Sequence, residues 1–171
     1  MPRMKRLLLL GISAALLISV IPLADWAYFR DRRSFISPVY CAGEIPIRND
    51  AYGDGRFLAP RRGKRKHKGL DICAPLKSEV RASKGGISRI KFQKAGMGKY
   101  VIIQHAGAYS TLYGHLHEYE VADGDRIRQG DVIGYVGKTG NARYNSMKPH
   151  LHFEIIKNGE HLDPFSQLNR I

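Results

Sequence analysis

The stretch His150-Leu151-His152-Phe153-Glu154-Ile155-Ile156-Lys157, closed by Asn158-Gly159, sets the architecture of this chain. Its residues alternate: His150, His152 and Glu154 share one face of a strand, and Leu151, Phe153 and Ile155 share the other. Such alternation, stopped by Asn-Gly, marks a strand entering a hairpin turn. The apolar face needs a core, and the polar face carries two imidazoles and a carboxylate.

Working outward, the same period recurs upstream. Residues 79–83 and 87–93 are candidate strands, the second opened by Gly85-Gly86. In residues 99–105, Val101, Ile103 and His105 share one face while Tyr100, Ile102 and Gln104 share the other. Residues 110–116 return after Gly107, which predicts a hairpin. Turns at residues 123–125 and 129–131 bracket a very short strand, residues 132–136 form another, and residues 44–48 are a further candidate. Gly, Asp and Lys recur too often after residue 34 for a long helix. The expected fold is mainly β, an antiparallel sheet.

The 171 residues carry 43% apolar side chains and 18 glycines, which fits one compact, turn-rich domain better than a disordered chain. Two cysteines, Cys41 and Cys73, cannot make a disulfide-dense scaffold; they could form one bridge or remain buried thiols. Residues 1–33 form a separate unit. Arg3, Lys5 and Arg6 precede an apolar run at residues 7–24. As a helix this run would extend roughly 27 Å, enough to cross a bilayer core. The expectation is an N-terminal transmembrane helix holding an exported domain on the periplasmic side, with a cleaved signal and secretion as the alternative. Residues 34–58 are a connector and first strand, and residues 59–171 the main domain.

The chemistry begins on the last strand. Imidazoles at i and i+2 can both reach one metal, or one can bind it while the other faces substrate; spacing alone does not choose. His67 and Asp71 are four apart, but Gly69 and the basic residues around them predict an irregular loop leading into a strand. Zinc accepts nitrogen and carboxylate ligands, and a catalytic site wants three protein ligands and an open position. Two histidines with one aspartate supply that set. His115 and His117 lie in Tyr113-Gly114-His115-Leu116-His117, where Gly114 permits a sharp backbone path. His105 ends an apolar face and either lines the site or is a core histidine. Glu154 is a rival general base, and His161 reads as a surface or turn residue.

At these residues the chain resembles the lysostaphin-like (LytM-like) zinc metallopeptidases, most of which are cell-wall endopeptidases. The resemblance covers residues 59–165. His67-x-x-x-Asp71 looks like the first ligand motif, and His150-x-His152 with Phe153-Glu154 like the second. Tyr113-Gly114-His115-Leu116, the glycine-rich residues 124–140 and Asp163-Pro164 match the intervening and closing elements in order. The resemblance implies a duplicated-hybrid-motif β fold, one Zn2+ per chain on His67, Asp71 and His152, and catalytic roles for His115 and His150. It also implies that His105 lies near the site. His117 is additional and would hydrogen-bond a catalytic neighbour or cap the strand end. Lys148 stands where glycine is common before Pro149-His150, so the groove border differs; Lys77 replaces a turn glycine, which implies a different turn type.

The formal charge is +13, and Arg61, Arg62, Lys64, Arg65, Lys66 and Lys68 form a compact basic run beside His67. An exported domain rarely meets nucleic acid, and the run lacks aromatic stacking platforms, so nucleic acid is not an expected partner. Peptidoglycan peptides, a membrane contact through the N-terminal segment and an envelope protein partner or activator are expected, around a monomer. The expected activity is therefore hydrolysis of peptidoglycan peptide bonds by a zinc-activated water. The alternatives are a non-catalytic wall-binding or regulatory module of the same fold, or a peptidase specialised for an envelope assembly.

Overall fold

A computed structural model describes residue 31 and residues 35–168. The expected transmembrane helix at residues 7–24 lies outside the described residues; among those described, no helix is long and apolar enough to cross a membrane. The described residues form one compact unit.

The described chain runs through β1 (Asn49–Asp50), β2 (Gly53–Asp54), β3 (Leu70–Cys73), β4 (Glu79–Arg81), β5 (Gly86–Gln93), β6 (Gly98–Gln104), β7 (Tyr109–Tyr119), β8 (Arg126–Ile127), β9 (Val132–Val136), β10 (His150–Lys157) and β11 (Glu160–Leu162). One short 3-10 turn, Gly140–Ala142, precedes β10, and a short helix, Pro164–Gln167, follows β11. The mainly antiparallel β expectation holds. β1 and β2 pair as a small hairpin, and the other nine strands form one sheet with the order β11-β10-β7-β6-β5-β8; β3 adds to β10, and β9 joins β4 to β7.

β10 is the organising strand because its apolar face fills the core. Leu151, Phe153 and Ile155 pack with Leu70, Ile72, Val101, Ile103, Tyr113 and Val136, all buried. Each such side chain contributes about 1.5–3 kcal/mol of burial. Asn158 and Gly159 both take positive φ, 51° and 83°, so the chain reverses in the tight turn their identities predict and β11 returns along β10.

Two expectations need correction, at residues 44–48 and at Lys77. Residues 44–48 are not a strand: Pro46 has no N–H for a ladder, its carbonyl accepts from Cys73 N at 2.7 Å, and only Ile47 bridges to Ile72. Within the connector, Phe35 and Val39 pack in the core. Lys77 keeps the left-handed conformation of a turn glycine, φ 65°, held by its N–H to Val136 O at 2.8 Å. Cys41 and Cys73 are both free thiols.

Candidate active site

Strand register assembles the site. His152 lies directly opposite Asp71 of β3 on one side and Gly114 of β7 on the other, so three neighbouring strands deliver Asp71, His152 and the start of the His115 segment to one face. His67 arrives from the loop before β3, as its sequence predicts. That loop can enter only through Gly69, where a Cβ would come within 2.3 Å of Phe153 O.

The three candidate ligands meet closely. His152 Nδ1 is 2.8 Å from Asp71 Oδ1 and 3.0 Å from His67 Nε2, and His67 Nε2 is 3.1 Å from Asp71 Oδ1. Tetrahedral bonds of about 2.0–2.1 Å place donor atoms about 3.3 Å apart, so this spacing suits a single zinc ion. All three residues are buried. Their other atoms are also committed. His67 Nδ1 donates to Arg56 O at 2.9 Å, and His152 Nε2 donates to Glu154 Oε1 at 2.9 Å, so a metal that displaces the inner proton would find a lone pair on each inward nitrogen. Asp71 Oδ2 accepts from Arg48 Nε and Nη2 at 3.2 and 2.9 Å.

Electrostatics follow from this packing. Burial opposes charge on His152, but the hydrogen bonds to Asp71 and Glu154 outweigh it and hold the imidazole up at about 9. Asp71 is buried too, yet its bonds to His152 and His67 hold its carboxyl well below the usual range.

His115 and His150 stand beside the cluster, their ring centroids 5.1 Å apart, and His115 lies 5.9 Å from His152. Each donates Nδ1–H to a backbone carbonyl, His115 to Thr139 O at 2.9 Å and His150 to Lys148 O at 2.7 Å. Burial depresses both, with His152 and His150 adding repulsion at His115, which falls to about 3. Both rings are therefore neutral near pH 7, with Nε2 as a base. The sharp backbone path belongs to His115 itself, at φ 62°, rather than to Gly114. Its N–H donates to Met97 O at 2.8 Å and holds that conformation.

Other candidates fall elsewhere. His105 is on the opposite face of the sheet: Nδ1 bonds Gly85 O at 2.8 Å and Nε2 bonds Thr111 Oγ1 at 2.9 Å, while Thr111 and Gly114 point to opposite sides of β7. It is a satisfied core histidine, not a site residue. His117 is exposed, and it is its carbonyl that accepts Lys99 Nζ, at 2.9 Å. Glu154 is buried behind His152 rather than beside the reacting centre, and His161 faces it at 3.3 Å. Arg61 reaches to 3.5 Å from Asp71 Oδ2. Arg62, Lys64, Arg65, Lys66, Lys68 and Lys148 are exposed. Sequence reasoning missed Arg48, Asp50 and the carbonyls of Arg56, Thr139 and Lys148. Backbone acceptors carry no residue signature, and Arg48 lies 23 positions from the ligand it holds.

Comparison with known proteins agrees with this geometry. A profile of Peptidase family M23 matches residues 65–164. The chain belongs to peptidase family M23. DD-carboxypeptidase/endopeptidase Mpg of Neisseria meningitidis serogroup B is 44% identical over 102 residues, 60% of this chain and 23% of that protein. The M23 chain thus spans about a quarter of the length of the curated relatives it matches. Among solved structures, a zinc containing peptidase from Vibrio cholerae matches with TM-score 0.60 and 26% identity over 77% of this chain and 39% of that one. The catalytic domain of lysostaphin from Staphylococcus simulans matches with TM-score 0.55 and 29% identity, covering 68% of this chain and 88% of that one.

Proposed function

We propose that this chain is a zinc-dependent endopeptidase that hydrolyses peptide cross-links or stem peptides of bacterial peptidoglycan. The observation that carries the reading is the convergence of His67 Nε2, Asp71 Oδ1 and His152 Nδ1 within 2.8–3.1 Å, next to two neutral histidines. Zinc held by these atoms would polarise a peptide carbonyl and make water acidic enough to attack near neutral pH. The chain's own part is proton handling. With Nδ1–H tied to Thr139 O and Lys148 O, His115 and His150 each present Nε2 as an acceptor for the water's proton. The ring that takes the proton becomes a donor, able to stabilise the developing oxyanion or return the proton to the leaving amine.

The complete ligand set and both neighbouring histidines favour an enzyme over a non-catalytic module of the same fold. Similarity to the DD-carboxypeptidase/endopeptidase Mpg of Neisseria meningitidis supports the substrate class. The exposed cations of residues 62–68 would favour approach of anionic wall material. We place residues 1–33 as a membrane anchor or signal, with the rest of the chain, whose residues Phe35 and Val39 pack in the core, as a monomeric catalytic domain on the outer side of the cytoplasmic membrane. The test is digestion of peptidoglycan sacculi by the full chain with zinc and with chelator, fragments being identified by mass. Zinc-dependent release of peptide-cleaved fragments is expected; intact sacculi in the presence of bound zinc would refute the substrate class.

A further inference from the structure

Arg48 and Asp50 sit under the site and touch both of its halves. Arg48 is 3% exposed, and its guanidinium grips Asp71 Oδ2 through Nε and Nη2 at 3.2 and 2.9 Å. Its third nitrogen, Nη1, donates to Asp50 Oδ1. The other oxygen of Asp50 accepts from Lys148 N at 3.1 Å, and the Lys148 carbonyl is the acceptor for His150 Nδ1–H at 2.7 Å. A continuous hydrogen-bonded line therefore runs from a metal ligand to a catalytic histidine: Asp71, Arg48, Asp50, the Lys148 peptide, His150.

Two further ties attach the same hairpin to the loop before β10. Tyr52 Oη meets Ser146 Oγ at 2.8 Å, and the Tyr52 ring stacks on Tyr144 with centroids 5.3 Å apart. On the other side, Arg48 N donates to Asp71 O at 2.9 Å, so β3 and this segment are joined through backbone as well.

We infer that Arg48 and Asp50 are positioning residues that lock the ligand Asp71 and the catalytic base His150 into one geometry, a conclusion that rests on the zinc peptidase reading above. A carboxylate has two oxygens able to bind a metal. By occupying Oδ2 with a two-pronged charged contact, Arg48 commits Oδ1 alone to the ligand cluster and so preserves an open position for water and substrate. Asp50 acts at the other end. It fixes the Lys148 peptide so that the carbonyl faces His150, which holds the proton on Nδ1 and leaves Nε2 free as base. A buried Asp-Arg-Asp triad is a poor source of stability, because desolvation offsets most of its attraction. Here it carries geometry.

The two ends predict different losses. In the full chain, Arg48→Lys keeps the charge but not the two-pronged contact, and zinc affinity, read by competition with a chromophoric chelator, is expected to fall about tenfold or more. Asp50→Asn cannot accept from Lys148 N and from Arg48 at once. Its zinc affinity is expected to stay within about threefold of wild type, while kcat falls about tenfold or more at an unchanged KM. Nitrogen NMR of the His150 ring supplies a readout independent of turnover: a single Nδ1–H tautomer in wild type, a mixture in Asp50→Asn. Wild-type zinc affinity, kcat and tautomer in both variants would overturn the inference, as would equal losses of zinc affinity and kcat that merely track a lowered Tm. Failure of the wild-type chain to bind zinc would instead sink the peptidase reading, and the His150 tautomer would still decide the role of Asp50.

Discussion

The two faces of the sheet at β7 and β10 both bury histidine and use it in opposite ways. On one face His152, His67 and Asp71 turn their inward atoms towards one another at 2.8–3.1 Å, an arrangement that needs a proton or a metal ion between those atoms. On the other, His105 spends both ring nitrogens on neutral partners, Gly85 O and Thr111 Oγ1; Thr111 in turn bonds Tyr113, whose hydroxyl accepts Ser83 N. The first cluster converges and the second closes on itself. Buried histidine is a sign of chemistry only in the first case.

Removing one histidine from each face should separate the two uses. His152→Ala is expected to abolish zinc binding and to lower peptide hydrolysis at least about a thousandfold, several kcal/mol of barrier. His105→Gln should leave zinc binding and turnover within about threefold of wild type; comparable losses in both variants would erase the distinction between the faces.

Within the converging face, ligands and bases should separate. His150→Ala and His115→Ala are expected to keep zinc and lose about 10²–10⁴ in kcat, the usual worth of a positioned general base. Steady-state kinetics beside metal analysis will show it, and loss of zinc in either would make that residue a ligand. Glu154→Gln touches the metal side only through His152, so a loss of about 10–100-fold in zinc affinity is expected, measured by chelator competition.

The closed face should report on stability instead. Burial drives His105 down to about 4, against about 6.5 in an unfolded chain. Between those values the unfolded state binds a proton that the folded state refuses, so stability falls as pH drops from about 6.5 to 4, by on the order of 3 kcal/mol from this group. Urea unfolding across that range should show a shallower acid slope in His105→Gln; an unchanged slope would place the titration elsewhere. The smallest effect lies in a turn. Lys77 holds φ at 65°, and Lys77→Gly should raise stability by roughly 0.5–1 kcal/mol, seen as a higher Tm.

Much of this architecture is legible in the chain because period and turn chemistry agree. The alternation of residues 150–157 and the Asn158-Gly159 stop gave β10 and its hairpin, and the same logic gave β6, β7 and β9. The ligand set was legible only through resemblance, since His150 and His152 share a face and differ by what stands opposite them. Asp71 is across from His152, whereas Cys73 is across from His150. Register is a pairwise property, and no single strand displays it. His105 misled for a related reason: its strand position showed burial but not which nitrogen met which partner. The Arg48 and Asp50 contacts join residues up to 98 positions apart and pass through a peptide group, so spacing held no trace of them.

His67 Nε2, Asp71 Oδ1 and His152 Nδ1 are expected to share one zinc ion. Native mass spectrometry of the full chain loaded with zinc, beside His67→Ala, Asp71→Asn and His152→Ala, tests it most directly. One zinc per wild-type chain is expected, and none retained by any of the three variants after the same buffer exchange. Full zinc occupancy in the variants, or none in wild type, would contradict it.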